Sequence, residues 1–414
     1  MNFRHQLLLC MACGSLGLSA CSVAVSPPAP AEFIPSAPPS GDESPNPLPE
    51  IGTPPERGAA TEFNATMTGR EQVPPVYGTE ATGTGSFALS ADRASLDYTV
   101  EHTLAAPTEA HLHIGIAGES GAVLLPLTLA PGTITGTVPV TPDQARAIEQ
   151  GRAYVDVHSA EHPDGEIRGQ VVRPGEIVYV TRLSPDQVNP PTDAPSQGLG
   201  ELLVDGTANS MRFVVQVQGM IGEPTMAFVG IGPAGADGPA AVDLAEPKTL
   251  PAPNFSGERT ITSTTDLDLG RWYIDVRSRR YPNGEVRGQV LRPGQELYLG
   301  RLSGAEVVPP VNSSARGSVS VIVDVNRDRV IYDVALTDVL PTAGRLAEGA
   351  PGEVGPAMMP FEVLGTSFRA MEWLPPGSTL LSSLATGHAY AAVSSASFPD
   401  GELRGQMLRV GLPR

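Results

Sequence analysis

Pro163-Asp164-Gly165-Glu166-Ile167-Arg168-Gly169-Gln170 recurs as Pro282-Asn283-Gly284-Glu285-Val286-Arg287-Gly288-Gln289 and again as Pro399-Asp400-Gly401-Glu402-Leu403-Arg404-Gly405-Gln406. Counted on the third residue, the copies stand 119 and then 117 residues apart. A second marker keeps step with the first: Val73-Pro74-Pro75-Val76, Asn189-Pro190-Pro191 and Val308-Pro309-Pro310-Val311. This period is far longer than the ~20–50 residues of solenoid repeats, so each copy is expected to own its core. With boundaries at Pro174 and Pro293, the repeats run over residues 62–175, 176–294 and 295–414. Hardly any linker separates them, which favours stiff neighbours over freely swinging ones.

Inside a repeat the hydrophobic period is two. Leu96, Tyr98 and Val100 alternate with Asp97, Thr99 and Glu101, and Val330, Tyr332, Val334 and Leu336 repeat the pattern in the third copy. Such alternation predicts half-buried antiparallel strands. Asp164-Gly165, Asn283-Gly284 and Asp400-Gly401 read as hairpin turns in which glycine supplies a positive φ, with the closing strand starting at the glutamate. One short helix is expected, capped by Thr141, opened by Pro142, boxed by Gln144 and stopped by Gly151. The chain carries 45 Gly and 42 Pro, a composition of turns rather than long helices, so the predicted class is all-β.

The N-terminus reads differently. Arg4 and His5 precede an apolar run from Leu7 to Leu18 that is too short to span a bilayer, the pattern of a signal peptide. Leu18-Ser19-Ala20-Cys21 resembles the lipobox of bacterial lipoproteins, which implies cleavage before Cys21 and lipidation of that residue. Ser22 at the next position implies an outer membrane where the cell has one, and otherwise display at the cell surface or in the periplasm. Eleven of the 37 residues from Ser22 to Gly58 are proline, so 22–61 is expected to be a disordered stalk. All three cysteines lie within the first 21 residues, leaving no disulfide to staple the repeats.

With a formal net charge of −18 and no basic cluster, the chain is not expected to bind nucleic acid. Ala110-His111-Leu112-His113-Ile114-Gly115, Gly118-Glu119-Ser120-Gly121, the stretch from Gly151 to His158 and the stretch from Gly165 to Gln170 make the first copy resemble the CHRD family, the domain first described in chordin. The other copies keep the Pro-Pro and Gly-Glu-x-Arg-Gly-Gln ends and diverge between them. The resemblance implies three immunoglobulin-like β-sandwiches, similar to the barrel of Cu/Zn superoxide dismutase, and no settled activity.

Glu166 and Arg168, with Glu285/Arg287 and Glu402/Arg404, sit two apart on a strand and share a face. Their presence in all three copies points to fixing the closing hairpin rather than to catalysis. No nucleophile elbow, P-loop or zinc-protease motif occurs, so no enzyme is expected. Histidine is concentrated instead: five of the seven fall in the first copy. His111 and His113 point to one face of a strand, with Met226/Phe228 and Arg345/Ala347 as their counterparts. His158, replaced by Arg277 and Ser394, stands on a neighbouring strand. Two readings follow: a non-catalytic surface module contacting an extracellular protein or polymer, or a Cu or Zn protein, extending to a redox enzyme, with His111, His113 and His158 as ligands and His102 or His162 as the fourth. A hydrogen-bonded histidine cluster without metal is the alternative for the same residues.

Overall fold

The computed structural model describes residues 60–130, 132–245, 254–324, 328–374 and 378–410. The leader, Cys21 and all but the last two residues of the predicted stalk lie outside them. No helix among the described residues is long and apolar enough to cross a membrane.

The first repeat comprises β1 (Thr61–Thr68), β2 (Thr82–Leu89), β3 (Ser95–His102), β4 (Pro107–Ile114), β5 (Val123–Pro126), β6 (Thr133–Pro139), α1 (Pro142–Glu149), β7 (Ala153–Ser159) and β8 (Ile167–Gln170). Its antiparallel strands run in the order β5-β4-β7-β8-β1-β2-β3-β6. The two four-stranded halves are joined by the β8–β1 pair Thr68–Arg168 and by the bridge Asn64–Val172 just beyond β8, so the sheet curls into a half-barrel around its own core.

The second repeat repeats the order with β9 (Glu176–Leu183), β10 (Gln197–Asp205), β11 (Ser210–Gln218), β12 (Pro224–Ile231), β13 (Ala240–Ala245), β14 (Asn254–Thr260), α2 (Thr265–Asp268), β15 (Trp272–Ser278) and β16 (Val286–Gln289). Here the halves β14-β11-β10-β9 and β13-β12-β15-β16 meet only through isolated bridges, one of them Ser184–Arg287. The third follows with β17 (Gln295–Ser303), β18 (Arg316–Asp324), β19 (Arg329–Thr337), β20 (Pro341–Glu348), β21 (Ala357–Pro360), β22 (Ser367–Trp373), α3 (Leu380–Ala385), β23 (Ala389–Ser395), β24 (Leu403–Gln406) and β25 (Leu408–Arg409). Each repeat has its own apolar core. The class is all-β, and α1 carries the expected capping box, with Thr141 Oγ accepting from Gln144 N–H and Gln144 Oε1 accepting from Thr141 N–H.

The recurring octapeptide is explained by what its side chains tie together. Gly165, Gly284 and Gly401 turn with φ of 115°, 136° and 142°. The glutamates accept a hydroxyl from the segment after the Pro-Pro marker: Thr79 to Glu166, Ser196 to Glu285 and Ser313 to Glu402. The arginines lie over a tyrosine of the adjacent strand, 3.4 Å from the Tyr154 ring centre for Arg168, 3.7 Å from Tyr273 for Arg287 and 4.0 Å from Tyr390 for Arg404. The glutamines bridge two loops. Gln170 Nε2 donates to Gly115 O and Gly151 O at 2.8 and 2.7 Å, and Gln289 and Gln406 do the same to Gly232/Gly270 and Gly349/Gly387. A Cβ at Gly169 would collide with the Thr66 carbonyl of β1, so only glycine lets the halves approach there. The octapeptide is thus the clasp of the half-barrel.

One expectation needs correction. Strands β10, β11, β18 and β19 are not half-buried: Leu203 is 2% exposed, Ile322 4% and Ile331 2%, on the face opposite each repeat's own core. The preceding repeat covers them. The Gly118 loop of repeat 1 seats on Val180 and Leu199, and the Gly235 loop of repeat 2 seats on Leu299 and Ser318. Likewise Gly151 faces Leu203 and Gly270 faces Ile322. The same interface is therefore used twice. In repeat 1 the corresponding outer face is polar and exposed, with Glu62, Asn64, Thr84 and Ser86, and in repeat 3 the loops at Gly352 and Gly387 meet open space.

Candidate metal centre

In repeat 1 the ladder sets His111 opposite Asp156 and His113 opposite Tyr154, with His158 two residues beyond Asp156 on β7. Alternation puts all four polar groups of these two strands on one face. His111, His113, Asp156 and His158 each offer one donor atom, and those atoms lie within 4.8 Å of one another. His111 Nδ1 is 3.2 Å from His158 Nε2, His158 Nε2 is 3.1 Å from Asp156 Oδ1, and His113 Nε2 is 3.2 Å from the same oxygen. A tetrahedral ion with bonds of ~2.0–2.1 Å holds its donors about 3.3 Å apart, close to these separations.

The surroundings aim the rings. His113 Nδ1 is 2.9 Å from Gly121 O and His158 Nδ1 is 2.8 Å from Pro163 O, so each backbone carbonyl takes an Nδ1–H and turns Nε2 toward the cluster. Tyr154 stacks on His113 at 4.9 Å between ring centres, with the Arg168 guanidinium on its other face, and thereby connects the clasp to the site. His113 Nε2 is buried, and Asp156 Oδ1 at 3.2 Å is the group it faces. Asp156, 3% exposed, would be driven up by burial, but His113 and His158 outweigh that and hold its carboxyl below the usual range. Burial opposes charging of His158 too, yet Asp156 raises it above the ordinary imidazole value, whereas burial and then the His158 charge lower His111.

The fourth donor is Asp156, which the sequence reading passed over, and neither His102 nor His162 joins the group. His102 ends β3 opposite Gly83, in the other half of the sheet and in step with core residues Leu96, Tyr98 and Val100. His162 lies in the β7–β8 turn, where its carbonyl accepts from Gly165 N–H. The counterparts in repeat 2 also shift. Tyr154 corresponds to Tyr273, which pairs with Gly230, so His111 and His113 correspond to Phe228 and Gly230 rather than to Met226 and Phe228. A slip of two residues preserves the face and leaves alternation blind to the error.

Repeat 2 keeps the carboxylate as Asp275 but places Arg277 at the His158 position, its Nε 2.9 Å from Asp275 Oδ1. Repeat 3 has Ala392 and Ser394 there, with no carboxylate to neutralise. A fixed cation sits where repeat 1 has only imidazoles.

A family model, the CHRD domain, matches residues 63–171, 179–290 and 300–407. Those segments take in most of the chain and all three half-barrels, and the chain belongs to the CHRD domain family.

Proposed function

We propose that this is an exported, surface-displayed array of three CHRD domains whose first member holds one Cu or Zn ion through His111, His113, His158 and Asp156. The observation that carries the reading is the convergence of four donor atoms, three imidazole nitrogens and one carboxylate oxygen, within 4.8 Å of one another on a mostly buried face. The arginine that neutralises Asp275 in repeat 2 supports a cation at the equivalent place. Four protein donors complete a tetrahedral shell, the arrangement of a structural or binding site rather than of a catalytic site with an open position. The display function rests on the lipobox-like Cys21 and the Pro-rich stalk, which together put the domains at a distance from a membrane, where they contact an extracellular protein or polymer.

The test is calorimetric titration of the mature chain with Zn(II) and Cu(II), alongside His113→Ala. One equivalent bound with Kd below about 10 μM, lost in the variant, is the expected result. Absence of saturable binding would leave only a hydrogen-bonded histidine cluster.

A further inference from the structure

Away from the histidine cluster the three repeats meet around a second feature, a cavity of about 140 Å³. It takes one arginine from each: Arg70 from repeat 1, Arg182 from repeat 2 and Arg409 from repeat 3. In a chain of net charge −18 this is a local reversal of sign. Two further arginines at the wall are already engaged, Arg168 with Tyr154 and Ile116 O, and Arg292 with Asp268.

Of the acids at the cavity, Glu296 pairs with Arg409 and leaves Arg70 and Arg182 without an ion pair among the described residues. Glu296 is shared among Arg409, Tyr77 and Tyr298 at 3.0, 2.8 and 2.7 Å. Burial pushes the Glu71 carboxyl up to about 8, against the opposing pull of Arg168. Arg70 lies over the Tyr77 ring, 5.1 Å from its centre. Arg182 has no carboxylate partner among the described residues. Desolvation, and next the Arg409 charge, hold its guanidinium below the ordinary value.

The next junction provides the comparison. Ser184 and Ser303 occupy the same place, opposite the clasp arginines Arg287 and Arg404, so Arg182 and Arg301 correspond. Arg301 reaches the carbonyls of Asp186 and Val188 in the preceding repeat at 3.3 and 3.4 Å. Arg182, facing repeat 1 across the cavity, makes no such bonds among the described residues.

We propose that the cavity between the three repeats binds a small oxyanion, a carboxylate, phosphate or sulfate group, through Arg182 and Arg70 with Arg409 at its rim. Guanidinium forks match the paired oxygens of such groups, and Arg182 and Arg70 supply positive charge that no carboxylate of the described residues pairs. The site is independent of the metal reading.

The test is titration of the mature chain, in metal-free buffer at low salt, with inorganic phosphate, sulfate, malonate and a short uronate oligosaccharide. One site per chain is expected for at least one probe, weakened at least tenfold by Arg182→Gln and by Arg70→Gln and unchanged by Arg279→Gln, an exposed arginine paired with Glu223. Tighter binding of the oligosaccharide than of malonate assigns the group to a polymer, and the reverse order to a free anion. No saturation by any probe up to about 50 mM overturns the proposal. So does binding that survives both cavity substitutions, or falls equally in Arg279→Gln.

Discussion

Replacing His158 by arginine should remove the metal and spare the stability of the fold, whereas replacing it by alanine should remove the metal and lower that stability. Asp156 has a side chain 4% exposed, and His158 is 3.1 Å from its Oδ1. Truncation to alanine strands a buried carboxylate beside two imidazoles, one of which burial and neighbouring charge already hold low. Breaking a buried pair by removing one partner costs about 3–5 kcal/mol, and the low end applies because His113 Nε2 remains 3.2 Å from Asp156 Oδ1. About 3 kcal/mol in a domain of this size lowers its melting transition by on the order of 10 °C. Arginine reproduces what repeat 2 already does with Arg277 and Asp275 at 2.9 Å, so His158→Arg should stay within about 1 kcal/mol of the metal-free parent. Differential scanning calorimetry of the mature chain in chelator, repeated with Zn(II) at a hundred times its Kd, reads both effects. Only the parent should gain the roughly 2.7 kcal/mol that ligand at that concentration confers. Equal stability of His158→Ala and His158→Arg without metal would refute the reasoning, because Asp156 would then need no cation.

Metal affinity should fall as pH drops through the raised His158 value, since the ion must displace the proton Asp156 holds there; calorimetry in buffers of different ionisation enthalpy should find at least one proton released. Glu201 accepts the Ala117 N–H across the junction of repeats 1 and 2 at 2.7 Å, and burial lifts its carboxyl to about 8. A folded value raised above the unfolded one gives stability that is complete below about 4.5 and lost as pH rises to 8, so unfolding midpoints should decline between about pH 4.5 and 8 in the parent and less steeply in Glu201→Gln, where Glu71 still titrates in the same range. Gln289→Leu removes two hydrogen bonds and leaves the Gly232 and Gly270 carbonyls unpaired, a loss of roughly 2–5 kcal/mol in denaturant titration, while leaving metal binding in repeat 1 unchanged. Cys21→Ser should move the protein from the membrane fraction to the soluble one and abolish acyl labelling; unchanged fractionation would remove the lipid anchor from the account.

Much of the fold was legible because its determinants are local or recur. The octapeptide marks the clasp, and alternation marks the strands; Thr141 and Gln144 mark the helix. Asp156 was readable in principle, because it precedes His158 by two residues and survives as Asp275, but it drew no attention inside the apolar run of β7. The partners of Arg168 and Gln170 were not legible, being backbone carbonyls more than fifteen residues away with no side-chain signature. Nor was burial of the second face of β10 and β18, since the covering loops lie one repeat upstream and Leu203 or Ile322 looks like any strand residue.

The interface used twice joins unlike surfaces, a loop tip on one side and a strand face on the other, and contacts of that kind have no built-in stopping point. Left unchecked they would let one molecule seat on the next and grow into a filament. The leading strands of repeat 1 carry Glu62, Asn64, Thr84 and Ser86 on this face, which offer the loop tips of repeat 3 in another copy nothing apolar to sit on. Glu62→Val, Asn64→Val and Thr84→Leu, which install the apolar residues that repeat 2 carries at those places, are the changes that would open this end to the tip of a second copy.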